Sequence, residues 1–226
     1  MPAQIDELID RPDNVEIIRD EIAAILAVEL ASQQTLAVAA GKDPALWRLR
    51  VFLERANPWA EYLDAPDQAD APPIVNVSLD NENVDGSASN AVVRQKITSL
   101  FNIDCYAYGI SADDGGPGHI PGDEKAALEA RRAVRLVRNI LMSAHYTYLG
   151  LRGVVWGRMV RSVTMFHPQM GSLDVQQIVA ARVALEVGHN EFSPQVQGEP
   201  LELVASAVHR SETGEIYFNA NYNVGE

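Results

Sequence analysis

The segment of this sequence that most resembles a ligand-binding or catalytic motif is a glycine-rich loop at residues 113–122. Gly116 and Gly118 precede a helix that we predict to begin at Asp123, and backbone amides in such a position can hold an anion. No lysine directly follows the last glycine, as a phosphate-binding loop requires, and the neighbouring acids would repel phosphate. We therefore interpret the segment as a surface loop. The alternative is a small-molecule-binding or hydrolytic domain that uses residues 113–124.

Other residues that commonly catalyse reactions or bind metals are scattered along the chain. The five histidines occur without a His-x-x-His or Cys-x-x-Cys pair, which argues against a built-in transition-metal site. The single cysteine, Cys105, falls on the apolar side of a predicted strand, where a thiol acts as a small hydrophobic group. The sequence therefore predicts a protein that is not an enzyme, with no catalytic residues, no cofactor and no metal ligands.

The distribution of charge is more informative than the net charge of −13. Residues 1–90 hold 17 acidic and 6 basic side chains, whereas residues 125–161 hold eight basic side chains and a single acid. Opposite charges on separate segments favour contacts between copies. The alternatives are that both segments are solvated faces or that they pair within one subunit. The subunit-interface candidates on the basic segment are Arg131, Arg132, Arg135 and Arg138. The overall acidity argues against sequence-specific nucleic-acid binding.

The first seventy residues are predicted to be helical. Apolar residues at helical spacing indicate a long helix from Asp13 or Asn14 to Ala40, with Gly41 as its stop signal. The pair Asp43-Pro44 predicts the start of a second helix that continues through Leu53. The longest strongly apolar run, residues 22–28, is too short to cross a bilayer, so no membrane partner is expected.

Residues 73–226 are predicted to form an α+β domain, in which an antiparallel meander packs against one main amphipathic helix. Alternation of apolar and polar residues predicts strands, and the expected elements are strands at 74–79, 92–110, 154–166 and 175–191, a helix at 123–144 and a hairpin at 201–224. On the second strand, Tyr106 and Tyr108 point away from the apolar side. Tyrosine on an outer sheet face suits a protein interface, so both are further interface candidates, with cross-strand pairing in solvent as the competing interpretation.

This order of elements over residues 73–226 resembles the tail terminator and tail completion (neck) proteins of bacteriophages. The resemblance implies a structural virion protein that forms a homo-oligomeric ring, typically a hexamer, caps the tail tube, ends tail polymerisation and joins the tail to the head connector. The implied partners are the tail tube protein and, around it, the sheath and head-connector proteins. The implied location is the tail or neck of the virion, after assembly in the host cytoplasm. The family has no catalytic residues.

Overall fold

The structure is a computed structural model. It describes residues 12–64, 71–85, 94–111, 121–167, 178–192, 203–209 and 216–223. The chain divides into two compact units, one within Arg11–Ser193 and one that contains the C-terminal hairpin.

The described chain contains three α-helices and seven strands. The helices are α1 (Asn14–Ala39), α2 (Glu61–Asp64) and α3 (Gly122–Leu141), and short 3₁₀ helices occupy Pro44–Trp47, Pro58–Ala60 and Ala144–Tyr146. The strands are β1 (Arg50–Leu53), β2 (Ile74–Val84), β3 (Arg94–Tyr108), β4 (Val155–Phe166), β5 (Ile178–Phe192), β6 (Leu203–His209) and β7 (Ile216–Asn223).

The predicted α+β class is confirmed, but the sheet is neither purely antiparallel nor a simple meander. Its strand order is β1-β2-β3-β5-β4. Strand β1 runs parallel to β2, and the other neighbours are antiparallel. Because α3 returns the chain to the end of the sheet where β3 began, β4 runs parallel to β3 and leaves a gap between them. Strand β5 fills that gap, pairing with β3 on one side and β4 on the other.

The predicted second helix is wrong. Asp43 does cap the segment as expected, since its carboxylate accepts a hydrogen bond from the Ala45 amide at 2.9 Å. The helix that follows is only the 3₁₀ turn Pro44–Trp47, and the chain then forms β1. The reason is that neighbouring apolar residues point to opposite sides. Val51 packs into the main core, whereas Phe52 packs into a cluster on the opposite face of the sheet. An alternation of this kind is typical of a strand with two buried faces.

The long first helix is confirmed. It ends beside Gly41, whose φ of 66° is the left-handed conformation expected just beyond a helix C-terminus. By length and composition α1 could cross a bilayer. In this structure one side of α1 packs into the core, where Ile18, Ile22 and Leu26 are fully buried in the cluster that also contains the inner face of the sheet. Residues on both sides of position 70 therefore share one core.

The remaining strand predictions are confirmed, and β2 is longer than predicted because it continues past Leu79 to Val84. Residues 178–192 form a strand rather than the helix that Arg182 and Glu186 would also allow. The C-terminal hairpin is formed by β6 and β7. Helix α3 and α1 cover one face of the five-stranded sheet, and a smaller cluster around Tyr62, Ile74 and Tyr106 covers part of the other.

Candidate functional site

The outer face of α3 carries three arginines that have no partner within the described part of the subunit. Arg131, Arg135 and Arg138 are exposed. None of them forms a hydrogen bond or an ion pair with another described residue. Three guanidinium groups within about two helical turns form a compact positive surface. We call Arg131, Arg135 and Arg138 the arginine face.

The inner side of α3 explains why these arginines point outward. Its buried residues are mostly small, including Ala126, Ala130 and Ala133, so the helix can lie close to the sheet. At its start the approach is tighter still, because a Cβ on Gly109 would lie only 2.1 Å from the carbonyl oxygen of Gly122. Glycine is therefore required where β3 leads towards the helix. This packing fixes the rotation of α3 about its own axis and leaves the arginine face in solvent.

Arg132, the fourth candidate on α3, is held within its own subunit. Its Nε donates to a carboxylate oxygen of Glu129 at 2.9 Å, and its Nη1 donates to the carbonyl oxygen of Leu46. The side chain is only 13% exposed. Arg132 therefore links α3 to the 3₁₀ turn Pro44–Trp47 rather than offering a free charge to a partner.

Two further arginines of the basic segment are also held within the subunit. Arg158 donates to the carbonyl oxygens of Leu141 and Ser143 at 2.5 and 2.6 Å, so it binds the C-terminal end of α3, and burial lowers its pKa. Arg161 forms a bidentate pair with Glu186 at 2.7 and 2.6 Å. The basic segment that looks uniform in sequence therefore divides into internally bound arginines and the arginine face.

Tyr106 and Tyr108 lie on the face of the sheet away from the helices, as predicted, but Tyr106 does not present its ring to solvent. It is buried, and its hydroxyl lies 3.3 Å from a carboxylate oxygen of Asp104; burial raises its pKa. Tyr108 is half-buried and stacks on Tyr62 with ring centroids 5.7 Å apart. The two tyrosines serve a second small core, and Tyr106 offers little surface to a partner.

The same face contains an ion pair between a buried carboxylate and a partly exposed arginine, which the sequence did not reveal. Asp104 is 4% exposed and accepts two hydrogen bonds from Arg182, at 2.7 and 2.8 Å. Arg182 also lies over the ring of Phe166. The only signal in the sequence was the placement of Asp104 on the polar side of its strand. The register that brings Arg182 opposite Asp104 depends on β5 entering the sheet beside β3, which the predicted meander lacked.

A second group that the sequence did not reveal is His189, which lies near the start of α1 on the face of the sheet that the helices cover. His189 is fully buried, and its Nε2 lies 2.8 Å from the hydroxyl oxygen of Ser99, which in turn lies 3.3 Å from a carboxylate oxygen of Glu82. Among the described residues, its Nδ1 has no hydrogen-bond partner. A catalytic histidine needs a group that orients its second ring nitrogen and an opening to substrate. His189 lacks the first, and neither described cavity is lined by it.

The described part of the chain contains an acidic surface that can complement the arginine face. Three acids are exposed at the start of α1: Asp13 at its N-cap, and Glu16 and Asp20 on its first two turns. Their spacing of three and four residues places them on one side of that helix. We call these three residues the acidic end of α1. Asp20 also pairs with Arg19 at 2.8 Å, and no ion pair joins the three acids to the arginine face within the described subunit.

Two cavities flank the 3₁₀ turn Pro44–Trp47. One, of about 320 Å³, is lined by Arg48, Lys125 and Tyr108 among others, and Lys125 follows the glycine-rich loop in sequence. The other, of about 490 Å³, lies between α1 and α3 beside Trp47 and Tyr146. Among the described residues no three metal-binding side chains come together. Most of the loop, including Gly116, Gly118 and His119, lies outside the described residues.

No family model matches the chain, and no curated protein matches its sequence.

Proposed function

We propose that this protein is a structural, non-enzymatic component of a phage tail or neck. It assembles as a ring that caps the tail tube, ends its polymerisation and joins the tail to the head connector. The proposal is supported by the order of elements from β2 to the C-terminal hairpin, which resembles tail terminator and completion proteins. The observation that carries it is the arginine face, a set of exposed charges with no partner in the described subunit.

Closed head-to-tail rings require two different, complementary surfaces on each subunit. The arginine face and the acidic end of α1 meet this requirement, since they lie on different helices and carry opposite charge. In the proposed ring, the arginine face of one subunit contacts the acidic end of α1 in the next. Such contacts mainly steer and orient the subunits, while apolar contacts supply most of the affinity.

A tube-capping experiment tests this function directly. Tail tube protein is polymerised with and without the purified protein, and the tubes are imaged by negative-stain electron microscopy. We expect shorter tubes that carry a closed ring of about six subunits at one end. Tubes of unchanged length, together with a protein that remains monomeric and does not bind them, would contradict the proposal.

A small-molecule-binding domain is the second candidate, and the 320 Å³ cavity is the observation in its favour. Arg48 and Lys125 line this cavity without forming an ion pair to another described residue, and the half-buried Tyr108 adds an aromatic wall. An anionic ligand with a planar ring would suit these groups. A thermal-shift screen of nucleotides and aromatic carboxylates tests it. A ligand that stabilises the wild type and not Lys125→Ala supports this candidate, and a screen without any shift rejects it.

A further inference from the structure

Helix α1 is apolar on its outer side as well as on the side that packs into the core. Among the described residues of α1 after Asp20, none that is exposed carries a charge. A surface helix normally presents charged residues on the side away from the core, as α3 does, and a helix that is apolar all round is normally buried. We therefore expect this side to be covered in the assembled protein. We define the outer side of α1 by five exposed residues that share one side of the helix: Ala24, Ala27, Val28, Ala31 and Val38.

The five-stranded sheet has an exposed apolar surface on β4. Helices α1 and α3 lie against β1, β2, β3 and β5. Val163 and Met165 of β4 stand opposite Val183 and Ala181 of β5, so they point to the face of the sheet that the helices cover. Val183 and Ala181 are fully buried, whereas Val163 is 45% exposed and Met165 is 37% exposed. The helix layer therefore stops short of β4 within the described residues.

Two arginines of the arginine face lie beside this surface. Helix α1 lies along one flank of α3, where Leu136 lines the cavity between the two helices. Arg131 and Arg138 lie roughly 140–160° from Leu136 around the axis of α3, and are therefore on the opposite flank. That flank faces β4, because β4 lies beyond β5 in the sheet and its Arg158 binds the C-terminal end of α3. We call the surface formed by Arg131, Arg138, Val163 and Met165 the α3–β4 groove.

We propose that the outer side of α1 in one copy packs into the α3–β4 groove of a second copy. This inference rests on the proposed ring and identifies its apolar contact. Charge selects the occupant, because the groove has an apolar floor and a basic wall, while the outer side of α1 continues from the acidic end of the same helix. The two surfaces are different, so the contact is head-to-tail and can repeat until a ring closes.

The size and the residue types of α1 also suit this contact. Within one subunit, α3 packs on the sheet through small buried residues that include Ala126 and Ala130. The outer side of α1 offers alanines at a similar spacing, so it can approach a sheet equally closely. A helix is about 10 Å across and neighbouring strands are about 4.8 Å apart, so each helix covers about two strands. Two helices leave the fifth strand exposed, and α1 of a neighbouring copy would complete the layer.

Cross-linking between two full-length variants tests the contact. Ala24→Cys places a thiol on the outer side of α1, and Val163→Cys places one in the groove. The matched control, Met159→Cys, places a thiol on the opposite face of the same strand, where Met159 stands opposite Glu186 and is 44% exposed. The native Cys105 does not interfere, because it is fully buried and burial raises its pKa. Circular dichroism checks that each variant is folded.

The variants are mixed at high salt, returned to low salt and treated with a short bismaleimide, and denaturing gels detect the products. We expect Ala24→Cys with Val163→Cys to give a cross-linked dimer. This product should be absent from either variant alone and from Ala24→Cys mixed with Met159→Cys. A mixture without the dimer, or an equal yield with Met159→Cys, would overturn the inference.

Two further outcomes would assign the surfaces to another occupant and so overturn the inference. The first is that both new thiols resist a monofunctional maleimide and yet do not cross-link, because another segment or molecule then covers them. The second is that the wild type binds phosphatidylcholine vesicles and Val28→Lys with Val38→Lys does not, because α1 then faces lipid.

The outcome is separable from that of the proposed function. If the wild type caps tail tubes as a ring but the dimer does not form, only the contact is wrong. If the dimer forms but the wild type does not bind tail tubes, the contact is correct and the proposed function is wrong. If the wild type neither assembles nor binds tail tubes, both are wrong.

Discussion

The sheet and helix α3 use their charged side chains in different ways. On the sheet, Asp104 pairs with Arg182 and Glu186 pairs with Arg161, both in bidentate geometry. On α3, the arginine face has no such partner in the described subunit. Charges that are satisfied internally stabilise or orient one subunit, whereas clustered charges without a partner add little to its stability. The comparison indicates that the sheet is built for its own fold and that the outer side of α3 is available to another molecule.

The largest effect on stability should come from removing the buried carboxylate of Asp104 from the sheet. We predict that Asp104→Ala lowers the free energy of unfolding by about 2 kcal/mol, because it leaves Arg182 without its carboxylate and the hydroxyl of Tyr106 without an acceptor. Urea denaturation measures the change. Glu186→Ala is the matched control: it removes a bidentate partner from the more exposed Arg161 and should cost clearly less than Asp104→Ala, because solvent screens an exposed pair. Equal losses for the two variants would contradict this account of the sheet.

A smaller effect should appear in the pH dependence of stability. Burial lowers the pKa of His189 below its usual value. The unfolded chain therefore takes up a proton near pH 6.5 that the folded protein does not bind, and stability falls as the pH is lowered through this range. We predict that His189→Gln reduces this loss between about pH 7.5 and pH 5.5, measured by urea denaturation at each pH.

Comparing the wild type with His189→Gln separates the contribution of the histidine to the pH dependence of stability from the contribution of nearby carboxylates. Burial raises the pKa of Glu191, so this group acts in the opposite direction, but it does so in both proteins. A variant with the same pH slope as the wild type would show that His189 does not contribute to the pH dependence.

The sequence was sufficient to predict the helices and strands in which a regular pattern of apolar residues repeats over many positions. Helix α1 and strands β3 and β5 each extend over fifteen or more residues, and each was predicted within a few residues of its ends. Strand β1 was missed because it has four residues and follows a correct helix-start signal at Asp43. With so few residues, the two-residue period of β1 could not be separated from a helical one.

The candidate site was predictable only in part, because single-residue partners depend on the register of distant strands. The exposure of Arg131, Arg135 and Arg138 follows from the amphipathic pattern of α3. The internal bonds of Arg132 and Arg158 do not, since they reach backbone carbonyls in other segments. Likewise, the burial of Tyr106 required the segment around Tyr62 to cover the second face of the sheet. Sequence patterns identify which side of a helix or strand is exposed, and tertiary contacts decide which side chains on that side have no partner within the described subunit.

The smallest effect should come from a single change on the arginine face. An exposed ion pair contributes about 0.2–1 kcal/mol, so Arg135→Glu alone should weaken assembly by less than about tenfold. Sedimentation velocity over a concentration series measures the dissociation constant. Raising the salt concentration should weaken the wild-type assembly in the same direction, because exposed charges are screened. A complete loss of assembly from this one substitution would mean that Arg135 is buried in the interface rather than at its charged rim.

The central claim is that the arginine face lies in the interface between subunits, and reversing the charge of all three arginines tests this most directly. The measurement is the mass in solution, by size-exclusion chromatography with light scattering, of Arg131→Glu with Arg135→Glu and Arg138→Glu. Its control is Lys42→Glu with Arg48→Glu and Arg94→Glu, three exposed basic residues outside α3 whose reversal changes the net charge equally. We predict folded monomers for the first variant and a wild-type oligomer for the control. If the arginine-face variant assembles normally at low salt, the account of α3 as the assembly surface is wrong.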